Sequence, residues 1–151
     1  MNNEIYDKEL IILRNAIDNA DKKMSKTMAQ SKSIKKIINI VENFIIKRKL
    51  VCYGGTAINN ILPLGDQFYN KEFEIPDYDF FSDDAINDAK NLADLYYNAG
   101  FEDVEAKAGI HIGTYKVFVN FIPIADITQM NETIFNNIKK DQIIVNKIAY
   151  A

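Results

Sequence analysis

The sequence predicts an α+β domain, and three observations carry that prediction. An amphipathic helical pattern over residues 34–49 runs straight into a short apolar strand at Leu50 to Tyr53. A second helical pattern begins at Ala85 and stops at Gly100, with strand-like text on either side. From Phe101 onward, runs rich in β-branched and aromatic residues dominate. With 151 residues, 48% of them hydrophobic, the chain can bury one ample core and needs no second.

Taken in order, Ile5, Leu10, Ile11, Leu13, Ile17 and Ala20 form an approximately helical stripe over residues 4–20. The polar stretch Asp21 to Lys32 is expected to be a linker or a loose helix end, which divides the chain into an N-terminal helix and linker, 1–32, and a folded unit, 33–151. Ser33 is positioned to cap the next helix, where Ile34, Ile37, Ile38, Val41, Phe44 and Ile45 share a side. Val51 to Tyr53 reads as a buried strand, and Thr56 to Leu62 as a short helix stopped by Pro63. Between Pro63 and Glu74 the text is turn-like, an ordered loop expected near the ligand.

Pro76 holds Ile75 extended and leads into a strand. Ser82 is expected to cap the helix that follows, with Asp83 and Asp84 stabilising its N-terminus as helix-start residues. Phe101 to Lys107, Ile110 to Thr114 and the long run Tyr115 to Ile127 are expected strands, with Gly109 and Gly113 at turns or bulges. Pro123 implies an edge or a bulge in the last of them. Residues 131–139 suit a short helix, and Asp141 to Ala151 reads as the start of a further element.

No apolar run reaches membrane-spanning length, and the polar opening Met1-Asn2-Asn3-Glu4 is not a secretory signal. The single cysteine, Cys52, permits no internal disulfide and suits a buried strand in a reducing compartment. Net charge is −3, but residues 1–50 hold 11 Lys/Arg against 6 Asp/Glu and residues 51–151 hold 7 against 15. The basic half could favour a nucleic-acid strand; solvated faces of two helices are the simpler explanation.

The chemistry concentrates between Leu50 and Phe81. Gly54 and Gly55 let the backbone turn sharply after the strand and approach a ligand without a Cβ in the way. The turn opens onto a helix N-terminus, whose free N–H groups and dipole favour an anion. Thr56 can cap that helix or donate its hydroxyl to a phosphate. In Pro76-Asp77-Tyr78-Asp79-Phe80-Phe81, Asp77 and Asp79 are two apart on a strand, on one face, with Cα atoms about 6.5 Å apart. Side-by-side carboxylates repel unless a cation lies between them, and hard oxygen ligands favour Mg²⁺. Asp126 is the only acid in Tyr115 to Ile127 and ends the apolar row Ile122, Ile124, which makes it the candidate third carboxylate. His111 is expected to be a structural residue; Lys116 could reach a phosphate, but a strand-surface lysine is the simpler expectation.

The strings Leu-Val-Cys-Tyr-Gly-Gly-Thr-Ala-Ile-Asn, Pro-Asp-Tyr-Asp-Phe-Phe-Ser and Ile-Ala-Asp-Ile-Thr-Gln-Met together resemble the poly(A) polymerase catalytic subunits of large DNA viruses, the poxvirus, asfarvirus and mimivirus-like branch of the polymerase beta-type nucleotidyltransferases. The resemblance spans roughly residues 30 to 150. It implies a catalytic palm over 33–151, built on a mixed, mostly antiparallel sheet with helices packed on one face, as part of a longer protein. It implies that Asp77, Asp79 and Asp126 bind two Mg²⁺ or Mn²⁺ ions, and that Gly54, Gly55 and Thr56 touch the nucleotide phosphates. The implied reaction transfers AMP from ATP to the 3′ end of RNA in the cytoplasm, in the viral factory or virion, without a membrane and with room for a homodimer or a partner subunit. Two alternatives stay open: a nucleotidyltransferase acting on a small molecule, a tRNA or a protein hydroxyl, and a non-catalytic or incomplete module that binds a nucleotide or a partner.

Overall fold

A computed structural model of the protein describes residues 2–29, 31–70 and 74–151. Helix α1, Asn2–Ala29, is a single 28-residue helix, so the expected linker from Asp21 is helical for most of its length; Gln30, within that linker, lies outside the described residues. The apolar stripe of α1 stays at the surface, with Ile11 57% and Leu13 57% exposed.

Helix α2, Lys32–Arg48, starts at Ser31 and not at Ser33: the Ser31 side chain accepts a hydrogen bond from Ile34 N at 3.2 Å. Its predicted face is the one that packs, with Ile34, Ile37, Val41, Phe44 and Ile45 buried. Lys49 closes the helix with a left-handed backbone, φ 55°, and the chain turns directly into β1, Val51–Tyr53. Then come α3, Gly54–Ile61; a 3-10 turn, Leu64–Asp66; β2, Tyr78–Ser82; and α4, Ala85–Asn98.

Strands β3, Val104–Ala108, β4, Thr114–Val119, and β5, Ile122–Gln129, form two successive antiparallel pairs. The long strand expected from Tyr115 to Ile127 is therefore a hairpin. Asn120 and Phe121 both have positive φ, 50° and 65°, which reverses the chain in two residues. Phe121 disguised the turn, because a bulky aromatic rarely adopts that backbone and the apolar run continues unbroken through it. The segment expected as a strand at Ile110 to Thr114 is mostly the connection between β3 and β4, and His111 is exposed there instead of sitting in the core.

After α5, Glu132–Ile138, the last eleven residues make a hairpin of β6, Ile143–Val145, and β7, Ile148–Tyr150, which joins this sheet. The seven strands run in the order β3-β4-β5-β2-β1-β7-β6. Neighbours are antiparallel except β2 with β5 and β1 with β7, the mixed, mostly antiparallel sheet that was expected.

Helices α2 and α4 pack against one another and against the sheet. Between them and the strands lie Ile37, Val41, Ile45, Phe80, Leu92, Tyr96 and Ile127, all essentially inaccessible. Cys52 is buried as expected, and burial pushes its thiol up to about 12. Ser82 does not cap α4; it is the last residue of β2, and Asp84 is the cap. The Ser82 hydroxyl accepts from Asp84 N at 2.9 Å and donates to Asp88 Oδ2 at 2.6 Å. Asp88, with its side chain 1% exposed, also receives Arg48 Nε at 2.8 Å, so one carboxylate joins the end of α2, the end of β2 and the start of α4.

Asp88→Ala strands the Arg48 and Ser82 donors and should lower unfolding free energy by about 2–4 kcal/mol in a denaturant titration. A change under about 0.5 kcal/mol, the size usual for a surface position, would contradict that role.

Candidate active site

The site is assembled by strand register. In the parallel pair β2–β5, Asp79 lies directly beside Asp126, and in the antiparallel pair β1–β2, Tyr53 lies on the other side of Asp79. Residues paired in this way project from the same face, and Asp77, two before Asp79, joins them. Lys116 continues the row, because β4 pairs it with Asp126.

That last pairing depends on a bulge. From the turn outward, Val119 faces Ile122 and Phe118 faces Pro123; the register then shifts, and Val117 faces Ala125. Ile124 is the extra residue. Had the register run on unshifted, Lys116 would stand opposite Ala125, and its side chain would share a face with the wrong set, since a one-residue slip exchanges the two faces of a strand. The bulge sits where Pro123 implied one.

Lys116 Nζ donates to Asp126 Oδ2 at 2.5 Å. The hydrogen bond to Asp126, more than its nearby charge, raises the lysine pKa. Lys116 is thus an ion-pair partner of the candidate third carboxylate, not the plain strand-surface lysine expected. Its signal was in the sequence, but only a reader who placed both the turn at Asn120-Phe121 and the bulge at Ile124 could have counted back to it.

The glycines lie against this row. Gly54, φ 75°, opens α3 directly after β1, and a Cβ there would come within 2.6 Å of Asp79 Oδ2. Only glycine allows both that backbone and that approach. At Gly55 a Cβ would meet the Tyr69 hydroxyl at 2.5 Å. Tyr69 belongs to the loop expected near the ligand, and the loop is held there by Asn59, whose Oδ1 accepts from Phe68 N at 2.8 Å and Tyr69 N at 2.9 Å; its residues 71–73 lie outside the described residues. Neither Asn59 nor Tyr69 was singled out from the sequence. Thr56 is buried and neither caps α3 nor offers its hydroxyl outward: it donates to the Asp77 carbonyl at 2.8 Å and so fixes the start of β2 against α3.

Gly55, Thr56, Asp77 and Asp79 line a cavity of roughly 970 Å³ that extends past Tyr69 toward Glu42. Asp126 and Lys116 are not part of its wall and lie farther along the sheet face. The Tyr53 ring stacks on Phe81, centroids 4.0 Å apart, and its hydroxyl meets Thr128 Oγ1 at 2.7 Å.

Burial, followed by the charges of Asp126 and Asp79, pushes the Asp77 carboxyl up to about 6, against the opposing effect of Lys116. Asp79 is also raised, first by burial and then by Asp126. Asp77 Oδ1 and Asp126 Oδ1 are buried without a hydrogen-bond partner. Buried carboxylate oxygens left in this condition are costly, and a hard divalent cation is the partner their chemistry suits. Among the described residues, no three acidic, histidine or cysteine side chains close around a single point. Register aligns Asp79 with Asp126, Asp77 lies just before β2, and one oxygen of Asp126 is held by Lys116.

Comparison with known proteins agrees in direction. A family model described as "Poly(A) polymerase catalytic subunit" matches residues 39–151. The putative poly(A) polymerase catalytic subunit of African swine fever virus is 40% identical over 113 residues, 75% of this chain and 24% of that protein. Its counterpart in Acanthamoeba polyphaga mimivirus is 30% identical over 135 residues, 87% of this chain and 22% of that protein. The crystal structure of the Megavirus polyadenylate synthase superposes with a TM-score of 0.80 at 29% identity, over 97% of this chain and 30% of that one. The chain spans about a quarter of the length of the curated relatives it matches.

An acid whose pKa is higher in the folded than in the unfolded chain costs stability once the pH rises above the unfolded value. For Asp77 that cost is absent below 3.8, grows up to about 6 and is complete above it. In the presence of chelator, the melting temperature of the protein should therefore rise as pH falls from about 7 to about 5, and Asp77→Asn should flatten that part of the profile. Parallel profiles for the two proteins would show that Asp77 is not under this strain.

Proposed function

The chain belongs to the poly(A) polymerase catalytic subunit family, and from that premise we propose that it is the nucleotide- and metal-binding palm of a template-independent adenylyltransferase that adds AMP from ATP to RNA 3′ ends. The observation that carries the reading is the register that sets Asp79 beside Asp126 on the face shared with Asp77, next to the turn at Gly54. Asp77, Asp79 and Asp126 would hold Mg²⁺ or Mn²⁺, which when bound supplies a Lewis acid for the attacking hydroxyl and the departing pyrophosphate.

The chain's own residues then do the positioning. Gly54 allows the α3 N-terminus to stand against Asp79, where its first N–H groups would be available to a bound triphosphate. Thr56 anchors Asp77 through its carbonyl and gives that carboxylate a fixed backbone. Asn59 holds Tyr69 over Gly55, where the phenol can border the nucleotide. Preorganised charge and position account for the rate without a covalent enzyme intermediate. Because the relatives are viral, the proposed place of action is the host cytoplasm or the virion; among the described residues no helix is long and apolar enough to cross a membrane.

A second reading is favoured by one fact, that the chain covers about a quarter of its relatives' length. In that case it binds metal and nucleotide but needs further residues to turn over.

With Mn²⁺, labelled ATP and an oligo(A) primer, the protein should extend the primer, and Asp77→Asn or Asp79→Asn should reduce incorporation by about 10²–10³-fold or more. Incorporation undiminished in both variants would refute the assignment. Calorimetric binding of ATP with Mn²⁺, lost in the same variants but without extension by the parent protein, would identify the binding module.

A further inference from the structure

We propose that Lys116 is a resident counter-ion that competes with a divalent cation for Asp126 and passes to the anionic oxygens of the nucleotide when cation and nucleotide bind together. This rests on reading Asp77, Asp79 and Asp126 as cation ligands. The ammonium lies 2.5 Å from Asp126 Oδ2, on the same sheet face as the three acids, and the bulge at Ile124 is what brings it there. The opposite oxygen, Oδ1, is buried with no partner, so Asp126 is half satisfied by lysine and half prepared for another cation. Neither side chain is locked in the core: Lys116 is 31% and Asp126 19% exposed. Lys107, which faces Lys116 across the β3–β4 pair, is engaged elsewhere, with Glu105 at 3.4 Å and over the Phe118 ring at 4.6 Å. Among the described residues the ion pair to this acidic row comes from Lys116.

Lysine suits the exchange because it is a point charge on a flexible four-carbon stem, able to leave one oxygen for another a few ångströms away. A cation arriving alone must break the Lys116–Asp126 pair and leave the ammonium without an anion. A cation arriving with a triphosphate brings the replacement anion. Lys116 thus opposes binding of free metal and favours binding of metal with nucleotide, two effects of opposite sign on one side chain.

Titration calorimetry of the chain with Mn²⁺ alone, and with a non-hydrolysable ATP analogue at saturating Mn²⁺, reads both effects. Lys116→Met should bind Mn²⁺ alone about tenfold more tightly and the analogue about tenfold more weakly. Lys116→Gln is measured alongside, so that misfolding of one variant does not stand in for a result. If the two affinities fall together, or neither moves, Lys116 is only a structural partner of Asp126 and the proposal is overturned. If Asp79→Asn leaves Mn²⁺ binding at the parental level, the carboxylate reading itself fails and this inference falls with it.

Discussion

The structure depends on a repulsion that the fold imposes. Pairing β2 with β5 in parallel puts Asp79 and Asp126 on adjacent strands about 5 Å apart, and Asp77, just before β2, lines the same cavity as Asp79. Burial first, and then the charge of the neighbouring acids, raises the pKa of both Asp77 and Asp79. The surrounding structure holds them there regardless. The core formed by α2, α4 and the sheet fixes the strands from behind, Thr56 ties Asp77 to α3, and Lys116 offsets part of the charge from β4. A site that stores unfavourable charge at fixed positions is arranged to gain when cations arrive.

The two faces of the sheet divide the work. On the helix side, Ser82, Asp88 and Arg48 form a closed polar group in which each buried oxygen has a donor. On the other side, Asp77 Oδ1 and Asp126 Oδ1 are left without one. Both sets belong to β2 and its neighbours, so the same strand is satisfied where it supports the fold and unsatisfied where ligands are expected. The contrast favours a ligand site on that face without appeal to any family likeness.

Much of this was legible in the sequence because it is local. The helical face from Ile34 to Ile45, the glycine turn after Tyr53 and the two-residue spacing of Asp77 and Asp79 are decided by neighbours in the chain. What was missed depends on partners. Phe121 hid a hairpin turn because its identity argues for strand and only the pairing of β4 with β5 forces its left-handed backbone. Lys116 looked like a surface lysine until that hairpin and its bulge were in place. Asp141 to Ala151 seemed to open something new, but it is a short hairpin whose second strand, β7, pairs with β1, with Ala149 opposite Val51. Ser82 was read as a cap and Thr56 as a cap or a phosphate donor from their position; the Ser82 hydroxyl instead links Asp84 and Asp88 just after it, and that of Thr56 reaches across to the Asp77 carbonyl.

The central claim is that the three aspartates form one cation site beside the Gly54 turn. Crystals grown with Mn²⁺ and a non-hydrolysable ATP analogue, measured at the manganese absorption edge, test it most directly. The account requires anomalous density about 2.2 Å from carboxylate oxygens of both Asp77 and Asp79, with Asp126 turned toward it. Manganese bound with the nucleotide elsewhere, with those carboxylates unengaged, would contradict it.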